Sequence, residues 1–218
     1  MIKSLEINER LDKYISDHSY DLHPVQKEIL KYNDTLGNNK KMQISITQAY
    51  FFQFFIKTNN IKNILEVGTF TGYSALSMGL VLPKGGKITC LDINKETSQV
   101  ASNFFKKARL DNKIKITLAP AMDSLNNLKK EKEKFDMIFI DADKENYKNY
   151  YNLSFELIKN DGFILIDNVL WKGEVADPTK NDQLTNVIRE FNSFIKKDGR
   201  IEKTILPIGD GITICRKI

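Results

Sequence analysis

The sequence predicts an α/β protein: a doubly wound, mostly parallel sheet closed by an antiparallel hairpin and preceded by a helical extension. Three observations carry this reading. From about residue 60 onward, short apolar runs rich in Ile and Val alternate with stretches long enough for helices. Those runs are apolar nearly throughout, as strands covered on both faces are. The last two runs flank Gly209-Asp210-Gly211, residues suited to reversing the chain.

Residues 1–59 read as helical and residues 60–218 as the α/β core, the whole expected to be one domain large enough to bury a substantial core. NILEVG (63–68), KITCLDI (87–93), KIKITLA (113–119), FDMIFIDA (135–142) and GFILIDNVL (162–170) read as strands. ETSQVASNFFKKARL (96–110) sets Val100, Phe104 and Ala108 four apart. NYKNYYNLSFELI (146–158) sets Tyr150, Leu153 and Leu157 on one face, and a further helix is expected over about 183–197. KKEKEK (129–134) mixes both signs and reads as a solvated helix end.

The composition, 41% hydrophobic and 28% charged, is ordinary for a globular chain. No apolar run approaches the roughly 20 residues a membrane span needs. The opening MIKSLEINERLDKYI is charged and lacks the apolar stretch of a signal peptide. Cys90 and Cys215 lie in strand-like segments without metal-ligand spacing, so reduced core thiols and a cytoplasmic location are expected. The net charge of +5 permits an anionic partner, but the lysines are scattered rather than clustered.

In such sheets ligands bind beyond the carboxyl ends of the strands. FIDADKENY (139–147) puts Asp141, Asp143 and Lys144 directly behind the apolar run Met137 to Ile140, and FILIDNVLW (163–171) repeats the pattern with Asp167-Asn168. Two such strand ends in one sheet favour a charged site over turn solvation by Asx residues. In EVGTFTGYS (66–74), Gly68 and Gly72 allow a sharp turn and close approach to a ligand, and the following helix offers free N–H groups. The spacing is G-x-x-x-G, which disfavours a bound pyrophosphate, and with it a nicotinamide dehydrogenase, and leaves room for a carboxylate or amino acid moiety. Asp92 closes the second strand 24 residues past Gly68, where an acid accepts bonds from ribose hydroxyls. The only histidines, His18 and His23, lie in the N-terminal region, which argues against zinc catalysis.

Glu66 to Ser74, Asp92, FIDADKENY, IDNVLW and LPIGDGITICRKI together resemble the caffeoyl-CoA and catechol-type O-methyltransferases, cation-dependent enzymes that use S-adenosylmethionine (SAM). The likeness runs from about Met42 to the C-terminus, in family order and at family-like spacing. It implies a Rossmann-like sheet of seven strands. It implies Asp141, Asp167 and Asn168 as ligands of a divalent cation, Mg²⁺ or alternatively Mn²⁺ or Ca²⁺, a set of oxygens that suits those ions. Lys144 resembles a general base whose pKa falls near a cation.

The resemblance further implies Glu66, Gly68 and Ser74 near the methionine part of SAM, Asp92 at the ribose and Ala121 by the adenine. Ile44, Thr69, Asp141 and Asp143 are carried over as further cofactor contacts. Trp171 is a candidate wall of an aromatic acceptor pocket, with Lys172 beside it where plant caffeoyl-CoA enzymes commonly carry Asn, so their acceptor preference is not transferred. APAMDSL (119–125) departs from the family's usual Gly-Pro-Ala. The expected acceptor is a small vicinal-diol phenol, and the alternative is a hydroxylated uridine in tRNA. A basic face around the strand ends favours RNA, an enclosed aromatic pocket a phenol. A homodimer is expected from the family, with the N-terminal region either at the acceptor mouth or in the dimer contact. A non-enzymatic binding module leaves the acids and Lys144 unexplained.

Overall fold

A computed structural model describes residues 7–19 and 21–218. The first six residues and Tyr20 of the expected helical extension lie outside the described residues. The extension comprises α1 (Glu9–Asp17), α2 (Pro24–Asp34), a 3₁₀ segment (Gly37–Met42) and α3 (Ile46–Thr58). The core then runs β1 (Asn63–Val67), α4 (Tyr73–Gly79), β2 (Lys87–Asp92), α5 (Lys95–Lys107), β3 (Ile114–Leu118), α6 (Ala121–Lys130), β4 (Phe135–Ile140), α7 (Tyr147–Leu157), β5 (Ile158–Ile166), α8 (Gln183–Lys197), β6 (Ile201–Leu206) and β7 (Ile212–Lys217).

The seven strands form one sheet in the order β3-β2-β1-β4-β5-β7-β6. β1 to β5 are parallel, and β7 inserts antiparallel between β5 and β6. This is the doubly wound, Rossmann-like fold expected. Successive strand residues face opposite layers, as the pleat requires. Ile64, Met137, Phe139 and Leu165 join the cluster under α2, α3, α4 and α5. Leu65, Val67, Ile138, Ile140, Ile164 and Ile166 join the one under α6, α7 and α8. Each such fully buried side chain contributes roughly 1.5–3 kcal/mol, which makes the strand ends rigid supports.

The N-terminal helices belong to this core. Ile29, Phe52 and Ile56 are buried, the Phe52 ring meets Phe139 at 4.8 Å, and the amides of Gln26 and Gln53 donate to Ser77 Oγ (2.8 Å) and the Ser77 carbonyl (3.1 Å) of α4. Their starts are written locally. His23 and Gln26 form a capping box on α2, and Ser45 and Gln48 form another on α3. α1 buries no residue.

The fifth strand differs from expectation. It begins at Ile158 and stops at Ile166, whereas the sequence reads as a strand over 162–170. A left-handed Asp161 (φ 61°) and a register shift opposite Phe135 and Met137 join two short pairings into one strand. Asn168, also left-handed at φ 58°, turns the chain away after Ile166. α6 ends at Lys130, inside the KKEKEK run expected to be a solvated helix end, and the fifth helix ends at Lys107 rather than 110, with Arg109 left-handed behind it.

Candidate active site

The strand order reverses direction between β1 and β4, and the crevice at that switch point is where open α/β sheets bind ligands. The ladder continues one residue past each strand. Gly68 N–H donates to Leu91 O (2.9 Å), Asp141 N–H to Val67 O (2.9 Å) and Asp167 N–H to Ile140 O (3.0 Å). Those bonds fix Gly68, Asp141 and Asp167 side by side above the sheet.

The glycines of the first loop answer to the protein itself. Gly68 is left-handed (φ 90°), and the space a Cβ would take is filled by the Asp141 carbonyl. At Gly72 (φ 88°) a Cβ would meet the Phe105 ring at 2.7 Å and Ala101 at 2.8 Å, so this glycine lets α5 close on the loop. At both positions the protein's own atoms fill the space a side chain would need, which accounts for the glycines without reference to a ligand.

Glu66 is fully buried and accepts a 2.5 Å bond from Ser74 Oγ at its Oε1. Burial pushes its carboxyl up to about 8, against the pull of Ser74, Cys90 and Thr69, and the charge of Asp141 adds to the rise. Among the described residues its Oε2 has no hydrogen-bond partner, nor has the buried Thr71 Oγ1. Asp92 accepts Thr69 N–H (2.9 Å) and Phe70 N–H (2.8 Å) at Oδ2 and Asn94 N–H (2.8 Å) at Oδ1. The acid expected to meet a ribose therefore first of all orders the glycine turn.

Ile93 beside it is 71% exposed, a large apolar side chain at the crevice mouth that sequence reasoning did not single out. Ala121 opens α6, half-buried against the cluster containing Leu91 and Leu125. Ile44 packs its side chain into the core, just before the α3 cap.

The second half of the site is built on Lys144, which begins a 3₁₀ turn (Lys144–Asn146). Its Nζ donates to Asp141 Oδ1 (3.0 Å), Asn168 Oδ1 (2.7 Å) and the Tyr147 hydroxyl (2.6 Å), using all three donors of an ammonium. The Tyr147 hydroxyl donates in turn to the Asp167 carbonyl (3.0 Å). Asp167 is 2% exposed, and its Oδ1 accepts Gln48 Nε2 and Asn168 N–H, both at 2.8 Å. Burial and the neighbouring Asp141 raise the Asp167 carboxyl to about 7, opposed by the Asn168 N–H, the Gln48 amide and the Lys144 ammonium. Tyr147 and Gln48 were not flagged by the sequence.

Asp143 stands apart from this cluster: Tyr150 Oη donates to its Oδ1 (2.6 Å) and Asn146 Nδ2 to its Oδ2 (2.5 Å), so its carboxylate serves its own helix.

Two carboxylates and an amide oxygen form a donor set that suits an oxygen-loving divalent ion. That one ammonium already bridges Asp141 and Asn168 shows that the site accommodates positive charge. Among the described residues no three His, Cys, Asp or Glu side chains gather as a metal site, because the third donor is an Asn.

The loop that follows β5 is strained. Trp171 (φ 45°), Lys172 (φ 57°) and Gly173 (φ 82°) are all left-handed, an arrangement that costs free energy at the two non-glycine positions. The β6–β7 turn holds it in place. Val169 N–H donates to Gly211 O (3.2 Å), Leu170 N–H to Asp210 O (3.0 Å) and Lys172 N–H to Asp210 Oδ1 (2.5 Å). The partly buried Trp171 ring lies 5.2 Å from Lys172 Nζ. Farther along, Arg189 on α8 donates to the carbonyls of Glu174 (2.9 Å), Val175 (3.0 Å), Asp177 (2.5 Å) and Lys180 (2.6 Å).

Comparison with known proteins agrees with this geometry. A family model described as O-methyltransferase matches residues 16–218. The chain is 39% identical over 220 residues to the probable caffeoyl-CoA O-methyltransferase 1 of Dictyostelium discoideum, covering 98% of this chain and 94% of that protein. It is 37% identical over 229 residues to the caffeoyl-CoA O-methyltransferase of Medicago sativa, covering 99% and 92%. Among solved structures, the O-methyltransferase of Bacillus cereus in complex with SAH superposes with a TM-score of 0.88 at 32% identity, covering 96% of this chain and 97% of that one. A strand-end crevice with an unmet buried carboxyl oxygen on one side and an ammonium held by Asp141, Asn168 and Tyr147 on the other is thus set in a SAM-dependent enzyme: the chain belongs to the O-methyltransferase family.

Proposed function

We propose that the enzyme transfers the methyl group of SAM to a phenolic hydroxyl of a small vicinal-diol acceptor of the catechol or hydroxycinnamate class, with the help of a divalent cation. The observation that carries this reading is the meeting of Asp141, Asn168 and Lys144 within hydrogen-bond distance, with Asp167 tied to the same cluster through Tyr147.

Asp141, Asp167 and Asn168 would hold the cation, Mg²⁺ in first place and Mn²⁺ or Ca²⁺ as alternatives. Such an ion, when bound, supplies Lewis acidity that orients the two acceptor oxygens and favours the ionised hydroxyl. Lys144 takes the hydroxyl proton at Nζ. To do so it gives up its proton and releases one of its three bonds, because a saturated ammonium has no lone pair. Tyr147 holds Nζ, and Asp141 and Asn168 are the oxygens that would be shared with a bound cation.

On the cofactor side, Glu66, Gly68, Thr69 and Ser74 receive the amino acid portion and Asp92 the ribose, using the acceptor capacity its three backbone bonds leave. Ala121 lies by the adenine, Ile44 and Asp143 are peripheral contacts, and Trp171 and Lys172 border the acceptor. The strand ends offer Asp92, Asp141, Asp143, Asp167 and Asp210 against Lys144 and Lys172, a balance that favours a small phenol over a polyanion such as tRNA.

The test is methyl transfer from labelled SAM to caffeic acid, caffeoyl-CoA and tRNA lacking its modifications, each with Mg²⁺ and with EDTA. Transfer to a catechol that EDTA abolishes is the expected result. Transfer to tRNA alone overturns the acceptor, and EDTA-insensitive transfer overturns the cation.

A further inference from the structure

We infer that Gln48, on the first turn of α3, is a positioning residue for Asp167 and makes the N-terminal helical segment part of the cation site. The inference rests on the proposed cation-binding role of Asp167.

The orientation of the Gln48 amide is fixed by chemistry. Ser45 N–H donates to Gln48 Oε1 (2.8 Å), and a backbone N–H has only a proton to give. Nε2 is therefore the end that faces Asp167 Oδ1, at 2.8 Å and across 119 residues of sequence. Gln48 is 2% exposed, so neither end competes with water. Ser45 Oγ accepts Gln48 N–H (3.1 Å), which locks the backbone of the same residue.

Gly209 on the β6–β7 turn completes the slot. It is left-handed (φ 60°), and a Cβ there would overlap the Gln48 amide. Gln48 thus reaches Asp167 through a gap that only glycine leaves.

The consequence falls on which oxygen Asp167 can offer. Gln48 Nε2 and Asn168 N–H both bind Oδ1, and among the described residues Oδ2 is the oxygen left for a ligand. Holding one carboxylate oxygen with two donors fixes the rotation of the group and presents the other. Partners of this kind set the affinity of ligating groups, and their loss typically costs about 10–100-fold in metal binding.

The experiment measures Mn²⁺ affinity by electron paramagnetic resonance in protein saturated with SAH, for wild type, Gln48→Met, Ser45→Ala, Gly209→Ala and Asp167→Ala, together with SAH affinity and melting temperature. Gln48→Met keeps the length and removes the donor; it is expected to weaken Mn²⁺ binding about tenfold or more and leave SAH affinity within about twofold. Ser45→Ala breaks the cap but spares the bond to Asp167, and is expected to lower the melting temperature without weakening Mn²⁺. Gly209→Ala, in an exposed turn, displaces the Gln48 amide without touching its chemistry and should weaken Mn²⁺ as Gln48→Met does. It carries the test if the latter does not fold. Wild-type Mn²⁺ affinity in Gln48→Met or Gly209→Ala, or an equal loss in Ser45→Ala, overturns the inference. Retention of Mn²⁺ by Asp167→Ala overturns instead the cation site on which it rests.

Discussion

The carbonyl of Asp141 occupies the place where a side chain at Gly68 would begin. The ends of β1 and β4 therefore approach closely enough to exclude a side chain, and the proposed cofactor and cation halves of the crevice meet at that seam. Gly68→Ala must both strain a left-handed residue and push β4 away, at a cost of roughly 3 kcal/mol or more. Urea denaturation should show that loss, and equilibrium dialysis should show weakened SAH binding. A variant with wild-type stability would mean that the seam opens without cost.

Lys144→Met separates two effects of one ammonium. Losing the base should lower kcat by about 10²–10⁴. Losing a positive charge 3.0 Å from Asp141 should tighten Mn²⁺ binding, because the lysine and the cation draw on the same oxygens. Mn²⁺ titration and steady-state kinetics on one preparation give both numbers. Weaker Mn²⁺ binding together with lower kcat would make Lys144 a support of the site and not its base.

Glu66 gives the cofactor-free protein a pH signature. Its carboxyl sits at about 8 in the folded chain because it is buried, above the ordinary 4.5 it regains on unfolding. Between those values the folded state binds more protons than the unfolded one, so stability falls as pH rises and levels off above about 8. The slope contributed by this one group is at most about 1.4 kcal/mol per pH unit. Chemical denaturation from pH 5 to 8 should show the fall, and Glu66→Gln should reduce it to the part that Asp167, raised to about 7, contributes. An equal slope in the variant would assign the effect elsewhere.

Arg189→Ala should free the loop behind Trp171, whose carbonyls at Glu174, Val175, Asp177 and Lys180 it gathers. Charged donors are worth about 1.5–3 kcal/mol each before solvent screening and non-additivity, and these four bonds are part-buried or exposed, so a net loss of about 2 kcal/mol is expected. Limited proteolysis should cut within 174–181, and KM for the acceptor should rise more than kcat falls. Resistance to protease in that segment would show that the loop holds without its arginine.

Most of the fold is legible in sequence because strand runs and helix faces are local patterns. β1 to β4 begin within a residue of where their apolar runs begin, and α8 matches its expected span. The convergence of Asp141, Asp167 and Asn168 is legible too, since two acid-bearing strand ends in a parallel sheet must share an edge.

What escapes is long-range. Gln48 closes a capping box with Ser45, a local contact; nothing local says that its other end meets a residue 119 positions on. Tyr147 reads as a core aromatic, and its hydroxyl acquires meaning only when Lys144 and Asp167 flank it. Asp161 reads as a turn before a strand, although its left-handed backbone lies inside one. The glycines at 68 and 72 are identifiable as turn residues, while the neighbours that demand them, Asp141 and Phe105, come from distant segments.

The insertion of β7 between β5 and β6 sets a timetable for biosynthesis. A ribosome delivers this chain from its N-terminal end, so the scaffold of five parallel strands can form while the segment that braces Leu170, Lys172 and Gln48 is still in the exit tunnel. During that interval Phe163 to Ile166, later paired with Thr213 to Arg216, present an apolar edge open to any passing strand. The nascent enzyme thus has a sheet before it has a finished site.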